Sequence, residues 1–224
     1  MSFYPVCIDL EEKECVVVGG GRVAQRKVRG LLSCGARVTV ISPGLTDELS
    51  VRETKGEITW KKREYRSGDL KGAFLVIAAT DDKETQKQVH REATERNLLL
   101  NVADVPRRCN FILPATARQG DLVISVSTAG KSPALARKLR MELEKRYGVE
   151  YRAVVDILGA IRPVILAAGL DQRDNEQVFN GLLHDDLPGW IRAGEWQRLE
   201  GHFADVLAGR VEGDWLRAIR PFYL

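Results

Sequence analysis

The chain has 224 residues, of which 44% are hydrophobic and 29% charged, with eight prolines and a formal charge of +3. That length exceeds the usual single domain of about 100–150 residues, and that composition excludes a disordered or collagen-like chain. The small net charge also argues against a nucleic-acid partner, and the longest apolar runs, residues 74–79 and 164–170, fall far short of the roughly 18 residues that cross a bilayer. No basic region followed by an apolar stretch precedes Tyr4 and Pro5, so a cytoplasmic location is expected. Cys7, Cys15, Cys34 and Cys109 stand apart without a C-x-x-C pair. They read as reduced, mostly buried thiols and not as a disulfide framework or zinc site.

In chain order, residues 14–18 form a short β-branched run that ends in three glycines, and residues 37–41 form another that ends in Ser42, Pro43 and Gly44. Both read as buried strands. Between them Val23, Ala24, Val28, Leu31 and Leu32 recur at helical spacing, with Gly35 placed to end the helix. This is a βαβ unit. Strands are predicted at residues 58–60, 74–79 and 98–102, with a helix at about 83–96, and the alternation implies a parallel sheet. Beyond Pro106 the pattern changes to strands at 111–115 and 122–127, separated by a turn at Arg118, Gln119, Gly120 and Asp121. Ser132 reads as a helix cap with Pro133 in the first turn, and Leu135, Leu139 and Leu143 then recur on one face. From Tyr151 onward only amphipathic helices are expected.

Gly19, Gly20, Gly21, Arg22, Val23 and Ala24 fit G-x-G-x-x-G/A directly after a strand and at the opening of a helix. In that pattern Gly19 makes the turn, Gly21 lets the backbone approach a pyrophosphate, and Ala24 keeps the helix near the sheet. A Rossmann-like dinucleotide site is the expectation, an ordinary glycine turn the alternative. No acidic residue ends the second strand to grip a ribose; Ser42 and Pro43 stand there instead as cofactor contacts, with the Ser42 hydroxyl able to bond a ribose hydroxyl. No arginine follows at once, which favours NAD over NADP. Thr80 and Asp81 read either as cofactor contacts or as part of a helix cap. Asp104 ends the last parallel strand and is a candidate acid or base, unless it only bonds turn amides. Between Arg107 and Arg152 about ten basic side chains face about four acidic ones, whereas the tail beyond Leu170 is acid-rich. Arg107, Arg108, Lys131, Arg137, Lys138 and Arg140 suit a polyanion through arginine forks, or simply form a solvated face. His90, His184 and His202 lie far apart in sequence, and no metal site can be assembled from the motifs.

The segments Tyr4-Pro5-Val6, Val17 to Lys27, Asn101-Val102-Ala103-Asp104, Phe111 to Ala115 and Ser127 to Arg137 together resemble precorrin-2 dehydrogenase, the module found at the N-terminus of fused siroheme synthases and in bifunctional dehydrogenase/ferrochelatases. The resemblance covers roughly the first 150 residues. Together with the element pattern it gives a Rossmann-like domain at 1–113 and a small α+β dimerisation segment at 114–150, while the helical domain at 151–224 rests on the residue pattern, since the tail beyond Tyr151 resembles the family only loosely. It also implies oxidation of precorrin-2 to sirohydrochlorin with NAD, a homodimer whose middle segment exchanges between subunits, and Asp104 as the catalytic aspartate. Precorrin-2 is an octacarboxylate, which gives Arg107, Arg108, Thr128, Lys131, Ser132 and Arg137 a substrate to hold. Members of the family differ in whether they also insert ferrous iron, and no His or Cys cluster decides that here. A non-catalytic NAD-sensing module is the competing expectation; it would bind NAD without producing NADH.

Overall fold

A computed structural model describes residues 3–223. The chain divides into two compact units, the first running to Leu113 and the second starting at Pro114. In the first unit the order is β1 (Glu14–Val18), α1 (Arg22–Leu32), β2 (Arg37–Ser42), α2 (Asp47–Thr54), β3 (Ile58–Lys62), β4 (Leu75–Ala78), α3 (Lys83–Glu95) and β5 (Leu99–Val102). All five strands are parallel, in the order β3-β2-β1-β4-β5. Central β1 is buried from Cys15 to Val18 because helices cover both faces of the sheet. Cys15 and Val17 join Ala24, Val28 and Leu31 of α1, while Val16 and Val18 join Val89 and Ala93 of α3. The chain leaves β1 for β2 on one side and later crosses to β4 on the other. The strand order therefore reverses at the carboxyl ends of β1 and β4, where a crevice opens.

Helix α1 ends as its glycine predicts: Gly35 has φ +71°, and the amides of Gly35 and Ala36 bond the carbonyls of Leu32 and Leu31. The crossover from β3 to β4 lacks regular structure and is tied down by two buried carboxylates. Glu92 of α3 accepts from Tyr65 Oη, from the amides of Gly68 and Leu70, and from Arg96. Asp69 accepts from Arg63 at 2.6 and 2.7 Å and from the Arg66 amide at 2.9 Å. Of the four cysteines only Cys15 is buried, Cys7 is exposed and Cys34 and Cys109 are half-buried, so the expected burial is corrected; all are free thiols. Burial pushes the Cys15 thiol up to about 11.

The second unit opens with an antiparallel hairpin, β6 (Ala115–Gln119) and β7 (Leu122–Val126), closed by Gly120 and Asp121. Gly120 takes φ +58°, as the first position of such a turn requires. The hairpin starts at Ala115 and not at Phe111. The Phe111 carbonyl accepts from Asn101 of β5, and Pro114 has no amide hydrogen to donate to a ladder. Next come α4 (Pro133–Arg146), α5 (Glu150–Ala167), α6 (Gln172–Leu182), α7 (Leu187–Ala193), α8 (Trp196–Leu207) and α9 (Trp215–Ile219). Ile157, Ile161 and Ile165, one turn apart on α5, form the spine of the core with Val178, Leu182, Leu199, Phe203 and Leu207. Among the described residues no helix is long and apolar enough to cross a membrane.

Candidate functional site

The carboxyl ends of the parallel strands bring three loops together around the glycine motif. The Gly19 amide donates to Ile41 at the end of β2, and Gly20 accepts from Thr46. Gly19 has φ +122°, and a Cβ there would overlap the Ala79 carbonyl after β4. A Cβ at Gly20 would overlap the Gly44 carbonyl and press on the Ser42 hydroxyl, whereas a Cβ at Gly21 would meet no atom within 4 Å. Gly19 and Gly20 thus let protein backbone pack closely, and Gly21 faces open space from which a ligand can approach. Directly after it α1 begins without a side-chain cap and without an acid in its first turn. By contrast α2 is capped by Thr46 and α3 by Asp82. The first amides of α1 are therefore left to bind an anion, with Arg22 and Val23 exposed beside them and Ala24 buried against the sheet. Close backbone, bare helix terminus and open space fit a dinucleotide pyrophosphate.

Ser42 was expected to meet a ribose. It is 4% exposed and donates its hydroxyl to Gly44 at 2.7 Å, so it shapes the loop under Gly20 and leaves the exposed Pro43 beside the crevice. Its carbonyl accepts from the Trp60 indole at 3.0 Å. After β4, the α3 cap is Asp82, which accepts from the amides of Glu84 and Thr85 and whose carboxyl the Thr85 side chain, with those amides, holds below the usual range. Thr80 supports that turn by accepting from the Asp82 amide, and Asp81 lies exposed beside it.

Asp104 lies on the same rim, one residue after Ala103, whose amide bonds the Ala78 carbonyl of β4 at 2.9 Å. It is exposed, with φ +60°. A non-glycine residue in this left-handed region is uncommon, and such backbones gather at functional sites. Sequence reasoning passed over Lys27. Gln25 and Arg29 on one flank of α1 bond Glu48 of α2, and the helical wheel turns half-buried Lys27 to the opposite flank, toward β4 and β5. Burial and neighbouring Arg26 hold its ammonium below the usual lysine range, while the charges of Cys109 and Asp104 pull it back. The signal that finds it is its place beside the buried stripe Ala24, Val28 and Leu31. Arg107 and Arg108 line a hollow of about 230 Å³ on the outer side of β5, with His90 among its walls.

The other predicted residues belong to the second unit. Thr128 accepts from the Ser132 amide, and Ser132 caps α4 by accepting from the Leu135 amide, as its position before Pro133 predicts. Ala129 and Gly130, at φ +51° and +81°, make the loop tight. Lys131 and Arg137 are exposed; Arg137 and Lys138 border a groove on α4. His184 and His202, distant in sequence, meet with ring centroids 5.1 Å apart beside Trp190. Among the described residues no group of three His, Cys, Asp or Glu is placed to hold a metal ion.

Residues 6–115 match a family described as NAD(P)-binding, and residues 119–146 match the sirohaem biosynthesis protein central family. Siroheme synthase 1 of Aeromonas salmonicida is 36% identical over 213 residues, 95% of this chain and 46% of its own length. Siroheme synthase of Nitrosococcus oceani is 36% identical over 209 residues, 93% of this chain and 45% of its own length. The chain thus spans about half the length of the curated relatives it matches. A solved structure of SirC, precorrin-2 dehydrogenase, superposes with a TM-score of 0.74 at 27% identity, covering 89% of this chain and 100% of that one. The bare α1 terminus and its glycine cradle, the rim aspartate and the hairpin followed by α4 thus occur in one chain with these matches, and the chain belongs to the precorrin-2 dehydrogenase and siroheme synthase family.

Proposed function

We propose that the chain oxidises precorrin-2 to sirohydrochlorin with NAD as hydride acceptor. The observation that carries this reading is Asp104, held in a left-handed backbone on the same strand-end rim as the glycine cradle. Gly21 and the first amides of α1 would hold the pyrophosphate, with Pro43, Thr80 and Asp81 bordering the same crevice. The bound nicotinamide ring supplies the hydride acceptor. Oxidation removes a hydride and a proton from the substrate, and Asp104 takes the proton because it is exposed and, among the described residues, its carboxylate caps no helix. Lys27 adds a cation whose charge is felt by Asp104. On the first unit Arg107 and Arg108 supply donors for carboxylates of the substrate, and on the second unit Lys131 and Arg137, with Thr128 and Ser132, are donors of the same kind.

NAD is preferred because no arginine follows β2. One observation favours NADP: Lys62 ends β3 in register with Ser42 and stands over the Trp60 ring at 5.3 Å. Initial rates with precorrin-2 and either dinucleotide separate the two. The NAD reading expects a higher kcat/KM with NAD, and a preference for NADP that Lys62→Met removes would overturn it. A homodimer is part of the proposal, supported by Leu135, Leu139 and Met141 on α4, which are 47%, 37% and 44% exposed. Ferrous iron insertion is tested apart from dehydrogenation with pre-formed sirohydrochlorin, ferrous iron and no NAD.

A further inference from the structure

Strand β5 ends the sheet, and a strand edge presents backbone groups that must find partners. The chain satisfies them by folding back along it. The Asn110 side chain accepts from the Leu100 amide and donates to the Leu98 carbonyl, both at 2.7 Å, while the Cys109 thiol meets the Val102 amide at 3.1 Å. This return leg and the end of α3 wall the hollow of about 230 Å³ that contains His90, Thr94, Asn97, Arg107, Arg108 and Asn110. Asn110 is held to β5 by one accepted and one donated bond, and the Thr94 hydroxyl donates to the His90 carbonyl. The polar groups left for a ligand are the two guanidinium groups, the imidazole and the Asn97 amide.

Among the described residues no Asp or Glu lines the hollow. Elsewhere in the same unit arginines find carboxylates, as Arg63 does with Asp69 and Arg96 with Glu92. Among the described residues Arg107 and Arg108 form no such pair. Two adjacent guanidinium groups in a concavity without a counter-charge repel each other and attract an anion, and their forked donors match the geometry of an oxyanion.

We propose that this hollow on the outer side of β5 is an oxyanion site, distinct from the dinucleotide cradle, in which Arg107 and Arg108 hold one carboxylate or phosphate group with His90 and Asn97 at its border. Two sources share that chemistry: free inorganic phosphate, and a carboxylate arm of the tetrapyrrole. Only the second rests on the dehydrogenase reading.

The test uses the full chain saturated with NAD, so that the cradle is filled, and follows backbone amide NMR signals as inorganic phosphate is added. Saturable shifts centred on Asn97 and residues 107–110 are expected. The double variant Arg107→Gln with Arg108→Gln should weaken them at least tenfold while the remaining signals keep their positions. Sirohydrochlorin is then added to the phosphate-loaded protein. Loss of the phosphate shifts identifies the hollow as the seat of a substrate carboxylate, and their retention identifies a free anion as its occupant. Phosphate that causes no saturable shift around the hollow, or that binds the double variant as tightly, overturns the proposal. Failure to bind NAD would instead count against the cradle, so the two readings fail separately.

Discussion

Asp104 holds a backbone conformation that costs most residues about 1–2 kcal/mol and that, after glycine, aspartate and asparagine tolerate best. Asp104→Asn therefore keeps the backbone preference and the size of the side chain while removing the proposed base. Turnover should fall on the order of 10² to 10⁴-fold with NAD affinity and unfolding midpoint unchanged. A normal rate in the folded variant would show that Asp104 is not the base. The glycines separate in the same way. Gly20→Ala drives a methyl into the Gly44 carbonyl and should lower stability by about 1–3 kcal/mol along with NAD affinity, whereas Gly21→Val should leave thermal unfolding unchanged and abolish NAD binding. Equal loss of stability in both would contradict the division of roles. The glycine motif is legible in the sequence because strand, turn and helix follow one another locally. The packing of Gly20 on residues 42–44 and the approach of Lys27 to the β5 side are not, because each depends on a loop or strand twenty or more residues away.

At the scale of elements, the β3–β4 crossover is tied down by charge. Arg63, the Arg66 amide and Lys61 hold the Asp69 carboxyl down to about 2, against an ordinary value of 3.8, although burial opposes them. Because the folded value lies below the unfolded one, the ionised form stabilises the fold at all pH above about 4, by about 2 kcal/mol. That contribution is lost as pH falls toward 2. Asp69→Asn should thus destabilise the first unit by about that amount at pH 7, and the gap from wild type should close between pH 4 and 2. A gap independent of pH, read by urea unfolding, would assign the loss to something other than this ion pair. Such ties explain what the sequence hides. Strands β1, β2, β4 and β5 and helices α1 and α3 announce themselves through apolar runs and periodic stripes. Helix α2 buries only Leu49 and so leaves no stripe to read, and the partners of Glu92 in the crossover, Tyr65, Gly68 and Leu70, lie more than twenty residues away from it in sequence. The hairpin moved from its expected start because Asn101 and Pro114 act on residues 111–114 from outside any local pattern.

For the whole molecule, Leu135, Leu139 and Leu143 read as the face that α4 buries, yet the residue the helix buries within the unit is Ala136, and Leu135 and Leu139 remain exposed. A second copy of the chain is the proposed cover. Sedimentation equilibrium should find a dimer that Leu139→Glu converts to monomer; a monomeric wild type, or a variant that stays dimeric, would refute the assignment. The cationic segment and the glycine cradle have a common purpose only if one substrate meets both, which makes turnover more decisive than binding. Anaerobic incubation of the chain with precorrin-2 and NAD, following NADH and sirohydrochlorin by absorbance in the same sample, measures that directly. One NADH formed for each sirohydrochlorin is the predicted result, and NAD that binds while no NADH forms above the enzyme-free rate would contradict it.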